Sequence, residues 1–172
     1  MLRIYFIPVS DETEIKKATK EYVEIWVKEG ERIVNTLSSF TGLEFVQEEL
    51  AAIVYEGISR AGGYKRLMKL RSSFSRDMKL ATLIHELSHR LLFGNGLVKT
   101  MDNIDIEQQK NLFLYDVWVE LYGKEFADRI VKMESERNGV YDYKKAWDWA
   151  MSFSKEERAK KFKEVLDSSL QK

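Results

Sequence analysis

The chain has no cysteine, one proline and only two histidines among its 172 residues. Without cysteine no disulfide can form, so the fold depends on its core, and any metal ligand must be His, Asp or Glu. No apolar run approaches the roughly 20 residues that a transmembrane helix needs. The first residues, Met1–Pro8, are too few and too quickly charged to resemble a secretory signal. We therefore expect a cytoplasmic protein.

An excess of charge is missing as well, since 28 basic residues balance 28 acidic ones. A neutral chain has no overall attraction to nucleic acid or to anionic membranes, so we expect neither as a partner. The composition, 44 % hydrophobic and 33 % charged, is ordinary for a globular protein. The length suits one compact domain over residues 1–172.

Three apolar segments predict a small sheet. Leu2–Ile7 and Leu50–Tyr55 are typical of buried strands, the second one central. In Arg66–Ser72 apolar residues alternate with Lys and Arg, which predicts a half-solvated edge strand. The C-terminal part predicts helices, over roughly Ile106–Tyr122, Lys124–Arg137, Tyr143–Phe153 and Lys155–Leu170. We therefore expect an α+β fold, with a small twisted sheet and helices before and after it.

Both histidines lie in one segment, His85-Glu86-Leu87-Ser88-His89, within a predicted helix. Four residues turn a helix by about 400°, so both imidazoles share one face and can bind one ion. Glu86 lies about 100° away, where its carboxylate can take a proton from a metal-bound water without being a ligand. This is the HExxH pattern of zinc hydrolases. It predicts a Zn²⁺ cofactor, with Glu86 as the general base.

The surroundings of the motif predict a well-defined helix. Ser75 is a suitable N-cap, and Gly94-Asn95-Gly96 would end the helix one turn after His89. An apolar stripe lies on a different side from the histidines, formed by Leu80, Ile84, Leu87 and Leu91. We expect one face of the helix to pack into the core while another presents the ligands.

A third zinc ligand is needed, because catalytic zinc normally has three protein ligands and one open position. Three carboxylates compete on the next predicted helix, Glu107, Asp116 and Glu120. Glu107 and Glu120 follow His89 by 18 and 31 positions, and spacing alone does not choose between them. At the start of its helix, Glu107 also has an ordinary use in complementing the helix dipole.

A resemblance to a known family favours Glu120. The segment Glu120-Leu121-Tyr122-Gly123-Lys124-Glu125-Phe126-Ala127 is similar to the third-ligand segment of small intracellular gluzincins related to phage-repressor-cleaving and radiation-response regulators. In those proteins a Glu is followed three residues on by a small residue, and six and seven residues on by Phe-Ala. Together with HExxH, the chain resembles the gluzincins, the thermolysin-like zinc peptidases, over roughly Arg66–Val131.

The resemblance implies a zincin-like fold and a ligand set of His85, His89 and Glu120. It also implies that Gly123 lets two helices approach closely. Lys124 departs from the Asp or Asn that such families usually have there. Asp116, one turn before Glu120 on the same face, would then supply the supporting contact.

The predicted function is zinc-dependent hydrolysis of peptide bonds. An extended peptide or protein substrate could pair with the edge strand Arg66–Ser72 as an additional strand. Four tyrosines are candidate hydrogen-bond donors to the reaction intermediate, Tyr115, Tyr122, Tyr141 and Tyr143. The alternative is a non-catalytic zincin-like binding or regulatory protein, in which the metal is structural or absent.

Overall fold

The computed structural model describes residues 2–63, 66–97, 104–137 and 141–170. These ranges contain three strands and six helices, which confirms the α+β class. The chain divides into two compact units, one of Met1–Ser38 with Leu43–Asn95 and one of Ser39–Gly42 with Gly96–Lys172. The single domain expected over residues 1–172 stays a prediction. None of the helices in the described ranges has the length and hydropathy needed to cross a membrane.

The first unit contains a parallel sheet of β1 (Arg3–Pro8), β2 (Glu49–Tyr55) and β3 (Met68–Arg71), in that order. The central position of β2 and the edge position of β3 agree with the sequence prediction, although β3 is shorter than expected. Side chains alternate between the two faces of a strand, so one face can be buried. That buried face carries Leu50, Ala52, Val54, Met68 and Leu70.

The outer edge of β3 is covered by the chain itself. Arg60 and Lys69 exchange two backbone hydrogen bonds of 2.9 and 2.8 Å. The Arg71 amide donates to Ser59 Oγ at 3.0 Å, and the Arg71 carbonyl accepts from the Tyr22 hydroxyl at 2.9 Å. Lys69 and Arg71 are the β3 residues whose backbone faces away from β2. In the described residues these outward-facing groups are therefore all bonded.

The first unit also contains α2 (Arg76–Gly94) and, as far as Ser38, α1 (Thr13–Thr41). The Phe6 ring of β1 stacks on Tyr22 of α1, with ring centroids 5.9 Å apart. Glu21 of α1 pairs with the buried Lys79 of α2 at 2.6 Å, and α2 also packs against β3. These contacts hold α2 in a fixed place within its unit.

The second unit is helical, with α3 (Ile106–Tyr122), α4 (Lys124–Ser135), α5 (Tyr143–Met151) and α6 (Lys155–Leu170). All four begin where the sequence predicts. The central helix is α3, which packs against the other three. Trp118 of α3 contacts Trp147 of α5 with ring centroids 5.6 Å apart, and both side chains are buried.

Candidate metal centre

The part of the helix that carries the HExxH motif is buried on all sides. Ser75 caps α2 by accepting from the Met78 amide at 3.4 Å, as predicted, and α2 ends at Gly94. Every residue from Ala81 to Leu92 is buried, not only one apolar stripe as the sequence predicted. Leu80, from that stripe, is only half-buried. The polar residues between Ala81 and Leu92 therefore lie inside the protein, where charged groups are costly unless they are paired.

The motif residues have the arrangement that their spacing predicts. His85 and His89 are neighbours along α2, with ring centroids 5.1 Å apart. His89 also stacks on Phe93, with a centroid distance of 5.6 Å. Only 3 to 5 % of His85, Glu86 and His89 is exposed to solvent. This burial brings two imidazoles and a carboxylate into a low-dielectric environment, which is typical of functional sites.

His85, His89 and Glu107 form a buried group whose potential ligand atoms all lie within 4.8 Å of one another. Two imidazole nitrogens and one carboxylate oxygen are ligands that divalent transition metals accept. The group could therefore hold a metal ion.

Glu107 lies in the first turn of α3 and is held by a buried lysine. Glu107 Oε2 accepts from Lys110 Nζ at 2.7 Å, and the two side chains are 5 % and 0 % exposed. The Lys110 ammonium also lies 5.9 Å from the centre of the Trp147 ring. Sequence reasoning missed Lys110, although its position three residues after Glu107 is an ion-pair spacing on a helix. Glu107 thus does more than complement a helix dipole.

Glu120 does not belong to this group. It is exposed near the C-terminal end of α3, 13 residues after Glu107. That separation corresponds to about 20 Å along a helix, so Glu107 and Glu120 could not bind the same ion. The group that could hold a metal ion contains Glu107 and not Glu120, and Glu120 as a ligand stays a prediction.

Asp116 and Gly123 have roles other than those expected from the resemblance. Both carboxylate oxygens of Asp116 accept from the Arg158 guanidinium, at 2.8 and 2.9 Å, so Asp116 connects α3 to α6. Gly123 has a φ of 84° at the junction of α3 and α4, and a Cβ added there would meet no atom within 4 Å. The glycine therefore serves the turn and not a close approach of helices.

Asn111 is a further polar residue of interest, and no motif or spacing in the sequence singles it out. It is fully buried, and neither its side-chain oxygen nor its nitrogen has a hydrogen-bond partner in the part of the chain that the structure describes. Asn111 lies one turn after Glu107 on the same side of α3. The Glu107 side of α3 thus has unused hydrogen-bonding groups, which is unusual for a protein interior.

Comparison with known proteins found no match to this chain. No family model matches the chain, and no curated protein or solved structure matches it either. The candidate metal centre therefore rests on the residues and geometry of this chain alone.

Proposed function

We propose that the protein is a zinc-dependent metallopeptidase of the zincin-like type. The observation that carries the proposal is the buried group formed by the two histidines of the HExxH pattern, His85 and His89, and by Glu107. Two histidines and one glutamate are a known ligand set of catalytic zinc, which keeps a fourth position open. Zinc bound there would supply Lewis acidity, polarising a peptide carbonyl and promoting ionisation of water.

Glu86 is the proposed general base. It follows His85 directly in α2 and is 5 % exposed, so its carboxylate acts where little bulk water competes. Glu86 would take a proton from the attacking water as the water oxygen bonds to the peptide carbon. It would then give this proton to the amine as the carbon–nitrogen bond breaks.

The proposed substrate is an extended peptide segment, but its pairing with β3 has a structural condition. The outward-facing backbone groups of Lys69 and Arg71 are already bonded to Arg60, Ser59 and Tyr22. A substrate strand could pair there only after Ser59 and Arg60 move away and the Tyr22 hydroxyl releases the Arg71 carbonyl. Among the candidate tyrosines, Tyr115 donates its hydroxyl to Asp128 at 2.7 Å, so it serves the packing of α3 on α4.

One observation favours the alternative, a non-catalytic binding protein without a metal. The Lys110 ammonium already balances the Glu107 carboxylate at 2.7 Å. A buried ion pair of this kind is a complete structural arrangement without any ion.

Zinc content and proteolysis distinguish the two functions. We expect the purified protein to contain about one zinc per chain and to cleave an unfolded protein such as reduced casein, and a chelator should stop the cleavage. Cleavage should return when zinc is restored. A protein with full zinc occupancy and no turnover, or with no affinity for zinc, would favour the binding protein.

The matched control is Glu86→Gln, which removes the base but keeps the size of the side chain. We expect this variant to retain zinc and its fold, while hydrolysis falls by about 10²–10⁴-fold, the usual contribution of a general base. Loss of zinc together with activity would show that Glu86 is a ligand and not the base.

A further inference from the structure

Arg90 is a buried cation for which the described residues supply no anion. It lies in α2 directly after His89, and only 4 % of it is exposed. Its Nε and Nη1 atoms have no hydrogen-bond partner within the described residues. Burial also lowers the pKa of the guanidinium. An arginine nevertheless stays charged in a protein, so this charge needs a partner.

The other buried cations of the described chain each have a carboxylate partner. Lys79 is paired with Glu21 at 2.6 Å, Lys110 with Glu107 at 2.7 Å and Arg158 with Asp116 at 2.8 Å. Of the four buried lysines and arginines in the described ranges, Arg90 alone has no carboxylate. Three of the four buried cations in the described ranges are therefore paired with a carboxylate. The fourth, Arg90, directly follows the HExxH motif in the sequence.

Arg90 lies on the same helix as Glu86, the proposed general base. Arg90 is four residues after Glu86, so both side chains lie on the same side of α2, about 6 Å apart along the helix axis. An anion bound at Arg90 would therefore lie about one helical turn from the general base.

We propose that Arg90 binds a carboxylate group of the ligand. The planar guanidinium presents two parallel N–H donors that match a carboxylate, and charge-assisted bonds of this kind are strong where water is excluded. This role of Arg90 rests on the proposed function and assigns a substrate class to it. The substrates are peptides with a carboxylate close to the cleaved bond. The carboxylate is either a free C-terminus or an acidic side chain.

Binding of three short peptides tests the assignment. The peptides are acetyl-Ala-Ala-Ala-amide, the same peptide with a free C-terminus, and acetyl-Ala-Glu-Ala-amide. Calorimetry is carried out on full-length Glu86→Gln protein, which prevents turnover, with and without Arg90→Gln. We expect one of the two carboxylate peptides to bind at least about tenfold more tightly than the neutral one, and this identifies the source of the carboxylate. Arg90→Gln should abolish the preference.

Thermal melting of the single variant Arg90→Gln separates this role from a structural one. Removing an unpaired buried charge should leave the melting temperature unchanged or higher, because no internal ion pair is lost. A clear decrease in melting temperature, or equal affinity for all three peptides, would overturn the assignment. A carboxylate preference without zinc binding would overturn the proposed function alone, whereas zinc-dependent hydrolysis without the preference would overturn only the role of Arg90.

Discussion

Among single residues, the ion pair of Glu107 and Lys110 limits which variants can test whether Glu107 binds a metal ion. Both side chains are buried, so replacing Glu107 alone would leave the Lys110 ammonium without a partner. Such a loss costs about 3–5 kcal/mol of unfolding free energy. Glu107→Ala would therefore damage the fold whether or not Glu107 binds a metal.

A double variant avoids this problem. We expect Glu107→Gln with Lys110→Met to fold, because both charges are removed together, and to bind zinc far more weakly than the wild type. Glu120→Gln should keep the wild-type affinity, since Glu120 is exposed and lies 13 residues away along α3. Competition with a chromophoric chelator measures both affinities. If Glu120→Gln loses zinc while the double variant keeps it, the ligand expected from the family resemblance is the correct one.

The sequence was sufficient for the part of the site that lies within one helix. The relation of His85, Glu86 and His89 follows from helical periodicity, which local sequence determines. The choice between Glu107 and Glu120 depends on which end of α3 is buried, and both carboxylates have plausible helical surroundings. The importance of Arg90 and Lys110 follows only from their burial, which no periodicity in α2 or α3 indicates.

At the scale of elements, the pair of Asp116 and Arg158 fixes α6 on α3. The guanidinium makes two bonds to Asp116 and donates a third to the Phe153 carbonyl at 2.6 Å. We expect Asp116→Asn to lower the unfolding free energy by about 3–5 kcal/mol, because Arg158 then stays buried without its counter-charge. Urea denaturation measures the change. Adding Arg158→Met should recover part of the loss, and a loss below about 1 kcal/mol for Asp116→Asn would contradict this role.

The contact of α3 with α4 should depend on pH through Asp128. Hydrogen bonds from Lys124 and Tyr115 hold the pKa of Asp128 below its usual value. A lowered carboxyl pKa contributes stability that is complete above about pH 4 and is lost as the pH falls through the folded-state pKa. We expect Asp128→Asn to be less stable than the wild type at pH 7 by a few tenths to about 1 kcal/mol.

Denaturation curves at several pH values test this expectation. The difference between wild type and Asp128→Asn should shrink as the pH falls below about 4. Asp148→Asn is the control, because Asp148 pairs with Lys144 inside α5 and, among the described residues, its side chain bonds to no second helix. A difference for Asp128→Asn that is the same at low and neutral pH would show that the charge of Asp128 has no part in the effect.

The elements themselves were largely predictable, for a reason that differs between helices and strands. Helix starts are encoded by capping side chains within a few residues: the predicted Ser75 cap of α2 is present, and Asp105, which was not predicted as a cap, accepts from the Gln108 amide at the start of α3. The length of β3 was overestimated at both ends, although the alternation of apolar and basic residues holds only over Met68–Arg71, the residues that form the strand. Pairing with β2 begins only at Met68, opposite Ala52, and depends on a distant strand.

At the scale of the whole molecule, zinc should stabilise the folded protein. A ligand that binds only the folded state adds about 2.7 kcal/mol at a free concentration 100 times its Kd. For a chain of this length, each kcal/mol of added stability raises the melting temperature by about 2–4 °C. The expected rise with zinc is therefore about 5–11 °C. Calorimetry with buffered zinc measures the rise, and His85→Ala should not show it. An equal rise in wild type and His85→Ala would indicate zinc binding elsewhere.

The parallel sheet also has a consequence for the order in which the chain folds. Arg3 pairs with Glu49, 46 positions later, and Ala52 pairs with Met68, 16 positions later, so no strand can pair through a tight hairpin. The helices of the second unit instead follow one another closely, and α3 contacts α4 across the single residue Gly123. Distant contacts form more slowly than local ones. During refolding, hydrogen exchange should therefore protect the amides of α3 and α4 before those of β1.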